Sequence, residues 1–156
     1  MCANALSGIV AERSKDPPEK RCMDSIELLN QTKLPFAELL GLRLTAAAPD
    51  RITAELVVRE ELCTNPAVLH GGAIMALADS LGAYATLLNL KDGRTTTTLE
   101  SKTNFFAPAP LGSRVVAECT PLHRGRRTMV RQTRITGESG RLLAIVTQTQ
   151  MTLEPG

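Results

Sequence analysis

The sequence predicts an α+β domain in which a curved antiparallel β-sheet wraps around one long central helix. Two observations carry this. The run Gly71–Leu88 is apolar or small almost throughout and holds a single charge, Asp79. A helix apolar on most of its surface has to be buried on most sides, so a flat sheet under one face is not enough and the sheet must curl. From residue 95 onward the chain alternates with a period of two, broken by turn signals at Pro108, Pro110 and Gly112, at Arg124-Gly125 and at Gly137-Glu138-Ser139-Gly140. Strands joined by short turns pair antiparallel and pack one face on a helix.

The elements follow in order. Residues 1–22 read as a flexible N-terminal segment, with the charged, proline-containing stretch Lys15–Lys20 near its end, and 23–156 as the folded domain. Residues 23–31 suit a short helix with Asp24 or Ser25 as its cap. Pro35–Leu40 suits another turn of helix, with Gly41 as its terminator. Alternation over 42–46 and 51–58, with Pro49-Asp50 between, predicts a hairpin. Residues 61–70 connect it to a helix over about 71–89, which Lys91-Asp92-Gly93 closes. Strands are expected at 95–106, 114–122, 126–136 and 141–153. Sheet edges left open by such an arrangement favour oligomers.

Composition narrows the function classes. A chain of 156 residues with 43% hydrophobic and 22% charged residues is one ordinary globular domain. Aromatics are 3% with no Trp, too few for the stacking platforms of single-strand nucleic-acid binders. Net charge is +2, a weak field for any polyanion. The basic residues gather late, at Arg114, Arg124, Arg126, Arg127, Arg131, Arg134 and Arg141. Such a cluster suits either a phosphate-bearing small molecule or a solvated strand face. Cys2, Cys22, Cys63 and Cys119 form no Cys-x-x-Cys pair, and with two histidines they make no close metal cluster. Reduced cysteines fit a cytoplasmic protein. Met1–Val10 has no Lys or Arg, so it lacks the basic start of a signal peptide. Asp79 interrupts the apolar helix, which does not read as a membrane span.

Asp79 is the leading candidate for chemistry. A carboxylate on such a helix costs several kcal/mol unless it is paired or open to a ligand, and active sites are where such groups are kept. The competing reading is a buried acid that caps a neighbouring loop.

Around Asp79 the residues form a pattern. Asn65-Pro66-Ala67-Val68-Leu69-His70-Gly71-Gly72-Ala73 opens the helix, Ala78-Asp79 follows, and Thr98-Leu99-Glu100-Ser101-Lys102-Thr103-Asn104-Phe105-Phe106-Ala107-Pro108 lies downstream. Over residues 35–153 the chain resembles the hotdog-fold acyl-CoA thioesterases, in their phenylacetate-pathway-like branch. The resemblance implies a homodimer with active sites at the dimer interface, pairing again into homotetramers. It implies hydrolysis of the thioester of an acyl-CoA, aromatic or medium-chain, with no metal and no bound cofactor, coenzyme A being part of the substrate. Neither a membrane nor a nucleic acid is implied as a partner.

The resemblance also assigns roles. Asp79 acts as general base on a water or attacks the carbonyl itself. Gly71 supplies the backbone N–H that polarises the thioester, and Gly72 lets substrate approach the helix N-terminus, where the dipole adds positive potential. His70 orients the loop, a carbonyl or a water, or is structural. Asn65 resembles the loop asparagine that holds nucleophile or water, though it stands one residue closer to the histidine than usual; an Asx-turn before Pro66 is the alternative. Thr98 resembles a strand Ser/Thr that binds the attacking water from the other subunit, against plain strand propensity. Where some relatives carry a helix Thr four residues after the acid, this chain has Ala83. Glu100, Lys102 and Asn104 share a strand face with Thr98 and pair at the subunit interface. Arg126 and Arg127, within the Arg124–Arg134 group, suit the coenzyme A phosphates. Cys119 fills the sheet core, and Cys63 has no base in reach except His70. Two other functions remain open at this point: a non-catalytic acyl-CoA-binding hotdog oligomer, and an acyl-CoA hydratase or dehydratase.

Overall fold

The computed structural model describes residues 18–32 and 34–155; over 18–24 it describes the backbone alone. Two helices lead, α1 (Pro18–Gln31) and α2 (Pro35–Leu40). The hairpin β1 (Arg43–Ala48) and β2 (Arg51–Val57) follows, then a 3-10 turn (Glu60–Leu62) and a ribbon of β3 (Cys63–Thr64) and β4 (Val68–Leu69). The long helix α3 (Gly71–Leu87) precedes β5 (Thr95–Phe105), β6 (Arg114–Arg124), β7 (Thr128–Gly137) and β8 (Leu142–Leu153).

Six strands form one sheet in the order β1-β2-β6-β7-β8-β5, every neighbour antiparallel. The sheet curves around α3, which packs on β2, β5, β6, β7 and β8 and carries α2 on another side. This is why the helix can be so apolar: Ala73, Ile74, Leu77, Ala78, Leu81, Tyr84 and Ala85 are all buried. They meet Ile52, Ala54 and Leu56 of β2, Val115 and Ala117 of β6, Ile135 of β7 and Ala144 and Val146 of β8. Cys119 lies in the same core, fully buried.

The turn chemistry is as expected at Gly41, whose φ of +76° ends α2 and lets its N–H reach the Ala37 and Glu38 carbonyls. The first helix differs. It begins at Pro18, so Asp24 and Ser25 lie inside it, and the expected boundary at residue 22 falls within a helix. Proline in a helix's first turn gives up an N–H that has no helical partner there, so Pro18 starts a helix as well as Asp24 would cap one. Residues 1–17 lie outside those described.

Strand β5 carries the other correction. Its register against β8 slips between Thr98 and Glu100, leaving Leu99 as a bulge, 57% exposed. Simple alternation puts Thr98 on one face with Glu100, Lys102 and Asn104. The bulge reverses the phase. Thr98 pairs with Gln150, Ser101 with Gln148, Thr103 with Val146 and Phe105 with Ala144, all on the helix side. Glu100, Lys102 and Asn104 turn outward and are exposed. Bulges re-aim side chains in this way, often beside active sites.

Candidate active site

Asp79 sits midway along α3, half-buried, against the seam between β5 and β8. Its Oδ1 accepts a hydrogen bond from Thr98 Oγ1 at 2.8 Å and one from Gln148 Nε2 at 3.2 Å. The donors are themselves held. Gln150 Nε2 donates to Thr98 Oγ1 at 2.8 Å, and Thr96 Oγ1 donates to Gln150 Oε1 at 3.0 Å. Among the described residues Oδ2 has no partner. One oxygen is thus locked by two donors and the other is left for a ligand. The capping role weighed for Asp79 does not apply, since it bonds side chains on two strands and no loop backbone.

Thr98 belongs to the same chain as the Asp79 it bonds, which corrects the expectation that it comes from the other subunit. The bulge at Leu99 is the reason: it keeps Thr98 on the helix side while the outward residues resume after it. Gln148 and Gln150 were not singled out by sequence. Their signal is the strand phase Ala144-Val146-Gln148-Gln150, in which two amides follow two apolar residues on the buried face. Gly82 makes room for one of them. A Cβ there would stand 2.5 Å from the Gln148 amide carbon.

The helix start is built by a short loop. Leu69 N–H donates to Ala109 O and His70 N–H to Leu62 O, both at 2.8 Å, pinning the loop on two sides. His70 is the N-cap: its Nδ1 accepts from Gly72 N–H at 2.8 Å, and its carbonyl takes Ala73 and Ile74 N–H. An acceptor Nδ1 leaves the proton of the neutral ring on Nε2. His70 thus has a structural part as the helix cap, and its Nε2 is not engaged by that bond. The Gly72 N–H is taken by His70, so any room that Gly72 leaves for substrate is steric and not a free donor. Gly71 N–H is the first-turn donor with no partner among the described residues. The Phe105 ring lies against Gly71, 3.2 Å from where a Cβ would stand, so this contact was also missed in the sequence.

Asn65 is exposed on the β3–β4 turn and makes no hydrogen bond to Asp79 or His70 among the described residues. Arg126 and Arg127 are exposed in the β6–β7 turn. Arg131 is not part of that basic surface: it is fully buried. Burial pulls its guanidinium below the usual range. Burial likewise pushes the Cys119 thiol up, with nearby Thr133 and Arg131 pulling the other way. Cys63 donates to Arg59 O at 3.4 Å, and the Nδ1 of His70 is already engaged, so no Cys–His pair forms. A cavity of about 470 Å³ opens beside the helix start, between Phe36, Leu39, Leu62, Cys63, His70 and Ala76.

A carboxylate with one locked and one free oxygen, a free N–H at a helix start and a cavity lined mostly by apolar residues are parts that a thioester hydrolase of the hotdog fold could use. The comparisons agree. The thioesterase superfamily model matches residues 67–144. The proofreading thioesterase EntH of Cronobacter turicensis is 32% identical over 118 residues, 75% of this chain and 85% of that protein. The crystal structure of thioesterase HI1161 from Haemophilus influenzae superposes with a TM-score of 0.77 at 32% identity, covering 83% of this chain and 90% of that one. The PaaI protein of the Escherichia coli phenylacetic acid degradation operon shares the fold at 18% identity, with a TM-score of 0.75 over 84% and 91% of the two chains. The chain belongs to the thioesterase superfamily and is a thioester hydrolase. No helix among the described residues is long and apolar enough to cross a membrane.

Proposed function

We propose that the protein hydrolyses the thioester of an acyl-CoA with an aromatic or medium-chain acyl group, releasing coenzyme A and the carboxylic acid. The observation that carries this reading is the free Oδ2 of Asp79 beside the doubly bonded Oδ1. Oδ2 takes the proton of a water as that water attacks the carbonyl carbon, or attacks that carbon itself to give a mixed anhydride, which a water hydrolyses after the thiolate has left. The carbonyl oxygen becomes an oxyanion facing Gly71 N–H, the C–S bond breaks, and the thiolate leaves and is protonated. One such backbone donor contributes on the order of 10²–10³ in kcat. The cavity supports an apolar acyl group, since ligand pockets run from about 300 to 1,000 Å³. The reading calls for no metal or bound cofactor; coenzyme A enters as part of the substrate. Arg126 and Arg127, exposed on one turn, are the proposed phosphate contacts. Asn65, on the loop before the helix, is the proposed holder of the water.

Distance along the helix argues for a shared site. Gly71 and Asp79 are eight residues apart, which is about 12 Å of helix rise. A reacting carbonyl needs its oxyanion donor and its nucleophile each within about 3–3.5 Å. One chain therefore does not supply both to one carbonyl, which favours a site built by two protomers related by a two-fold axis. Strand β5 forms one edge of the sheet, flanks Asp79 and carries exposed Leu99 and Phe105, with exposed Phe106 just past its end. It is the proposed dimer seam, with pairing of dimers into homotetramers carried over from the resemblance; the proposed cytoplasmic setting rests on the cysteines read as reduced.

The test is thiol release from phenylacetyl-, benzoyl-, hydroxybenzoyl-, hexanoyl- and palmitoyl-CoA by the protein and by Asp79→Ala and Asp79→Asn. Turnover of an aromatic or medium-chain member, lost by at least ~100-fold in both variants, supports the reading. Tight binding without thiol release would favour an acyl-CoA-binding oligomer. Hydration of crotonyl-CoA without thiol release would favour a hydratase.

A further inference from the structure

Arg131 of β7 is the one charged side chain in the buried interior among the described residues. Its Nε–H donates to Thr86 Oγ1 at 3.0 Å and its Nη2–H to Ala85 O at 2.6 Å, both in the last turn of α3. Met129 Sδ lies 3.8 Å from Nη2. No carboxylate pairs with it and Nη1 has no hydrogen-bond partner among the described residues, the neutral Cys119 thiol being the neighbouring group that feels its charge. The helix C-terminus, with its free carbonyls and negative dipole end, accounts for two of the bonds. It does not account for a spare donor on a buried cation, which is costly to leave unpaired.

The neighbour across the ladder holds the complementary spare atom. Arg131 and Gln148 are register partners on β7 and β8, both fully buried. Directly opposed residues place their Cβ atoms about 4.5–5.5 Å apart on one face. Gln148 donates from Nε2 to Asp79, and its Oε1 is a second buried atom without a partner. A side-chain amide can turn over, exchanging O for N at nearly the same positions, so only its surroundings fix which end points where. Asp79 already holds the N–H end, and a donor drawn onto Oε1, from Arg131 on one side in register or from the unpartnered Ser101 hydroxyl on the other, would select the same orientation.

We propose that Arg131 is a positioning residue for the hydrolysis: its Nη1 holds the Gln148 carbonyl, directly or through one water, and so keeps the Gln148 N–H on Asp79. Turned over, the amide would set its oxygen against the carboxylate, and Oδ1 would lose a donor and gain a repulsion. Arg131 touches neither substrate nor reacting atoms and acts through Gln148. The proposal rests on the reading of Asp79 as the reacting group.

The experiment uses the full chain with 15N-labelled glutamine. The sequence has four glutamines, and the Gln148 side-chain signal is the one lost in Gln148→Met. Solvent exchange of that amide is compared in the wild type, Arg131→Gln and Arg131→Lys, and kcat and KM for thiol release are measured in each and in Arg131→Gln/Gln148→Met. Arg131→Gln should speed exchange at least about tenfold and cut kcat about tenfold or more, with KM within about threefold. Arg131→Lys should restore most of both. In the double variant kcat should equal that of Gln148→Met alone, since the two act as one unit. Unchanged exchange in Arg131→Gln, or kcat losses that multiply in the double variant, would overturn the proposal and leave Arg131 as a cap of α3. Should Arg131→Gln not fold, Arg131→Met fills the site without a donor and carries the same comparison. The exchange measurement needs no turnover, so a wild type that releases no thiol fails the functional reading without deciding this one.

Discussion

The two oxygens of Asp79 have different surroundings, and that difference is what makes the residue useful. Oδ1 takes bonds from Thr98 and Gln148, while Oδ2 has none among the described residues. Losing Thr98 should therefore hurt chemistry more than folding. Thr98→Val keeps the shape and strand propensity but removes the donor, which costs about 1–3 kcal/mol in a partly buried bond to a charge. We expect kcat to fall about 10- to 100-fold with KM little changed, measured as steady-state thiol release. Asp79 and Gly71 were legible in the sequence because an acid inside an apolar helix and glycines at its start violate local preference without an evident structural reward. Gln148 was not, since a glutamine on a strand looks like surface until its neighbours in register are known. His70 was legible as a residue but not as a role: its cap bond to Gly72 depends on loop geometry that the spacing does not fix.

At the scale of elements, α3 and the strands were legible because their periods, 3.6 and two, survive over many residues. The bulge in β5 was not. It is a property of two strands together, and the sequence of one alternates through it without a break. Its effect is large, for it separates Thr98 from Glu100, Lys102 and Asn104 and puts it on Asp79. Gly82 tests how tightly the elements are fitted around the site. Gly82→Ala gains about 1 kcal/mol of helix propensity but drives a methyl into the Gln148 amide, 2.5 Å away. The variant should fold with a melting temperature near the wild type's and lose at least about tenfold in kcat. A fully active Gly82→Ala would mean that Gln148 does not need its place. Thermal melts beside thiol-release assays read both quantities.

At the scale of the molecule, stability and assembly carry separate predictions. Burial raises the Cys119 thiol above its ordinary value of 9.0, and burial first, then Glu38, raises Tyr84, against the Leu34 backbone. Both groups are neutral when protonated, so the folded state holds their protons longer than the unfolded one. Their contribution is complete below pH 9 and fades as pH rises through the raised folded values. Chemical denaturation from pH 8 to 10.5 should show falling stability, with a shallower fall in Cys119→Ala.

On the proposed shared site, assembly decides whether both groups meet one carbonyl. Gly71 is the first residue of α3, and His70 before it is extended, with φ −62° and ψ 138°. Proline is well tolerated at that helix position and after such a residue, and the exposed Phe105 ring, 3.2 Å from a Cβ there, can swing aside, so Gly71→Pro removes the free first-turn N–H while keeping the helix. Gly71→Pro and Asp79→Asn should each fold and each be nearly inactive. The decisive measurement is thiol release from the two variants unfolded together and refolded as mixed dimers. If Gly71 of one protomer works with Asp79 of its partner, random pairing restores one intact site in each mixed dimer, about a quarter of wild-type activity. Mixed dimers as inactive as either parent would contradict a site shared between protomers.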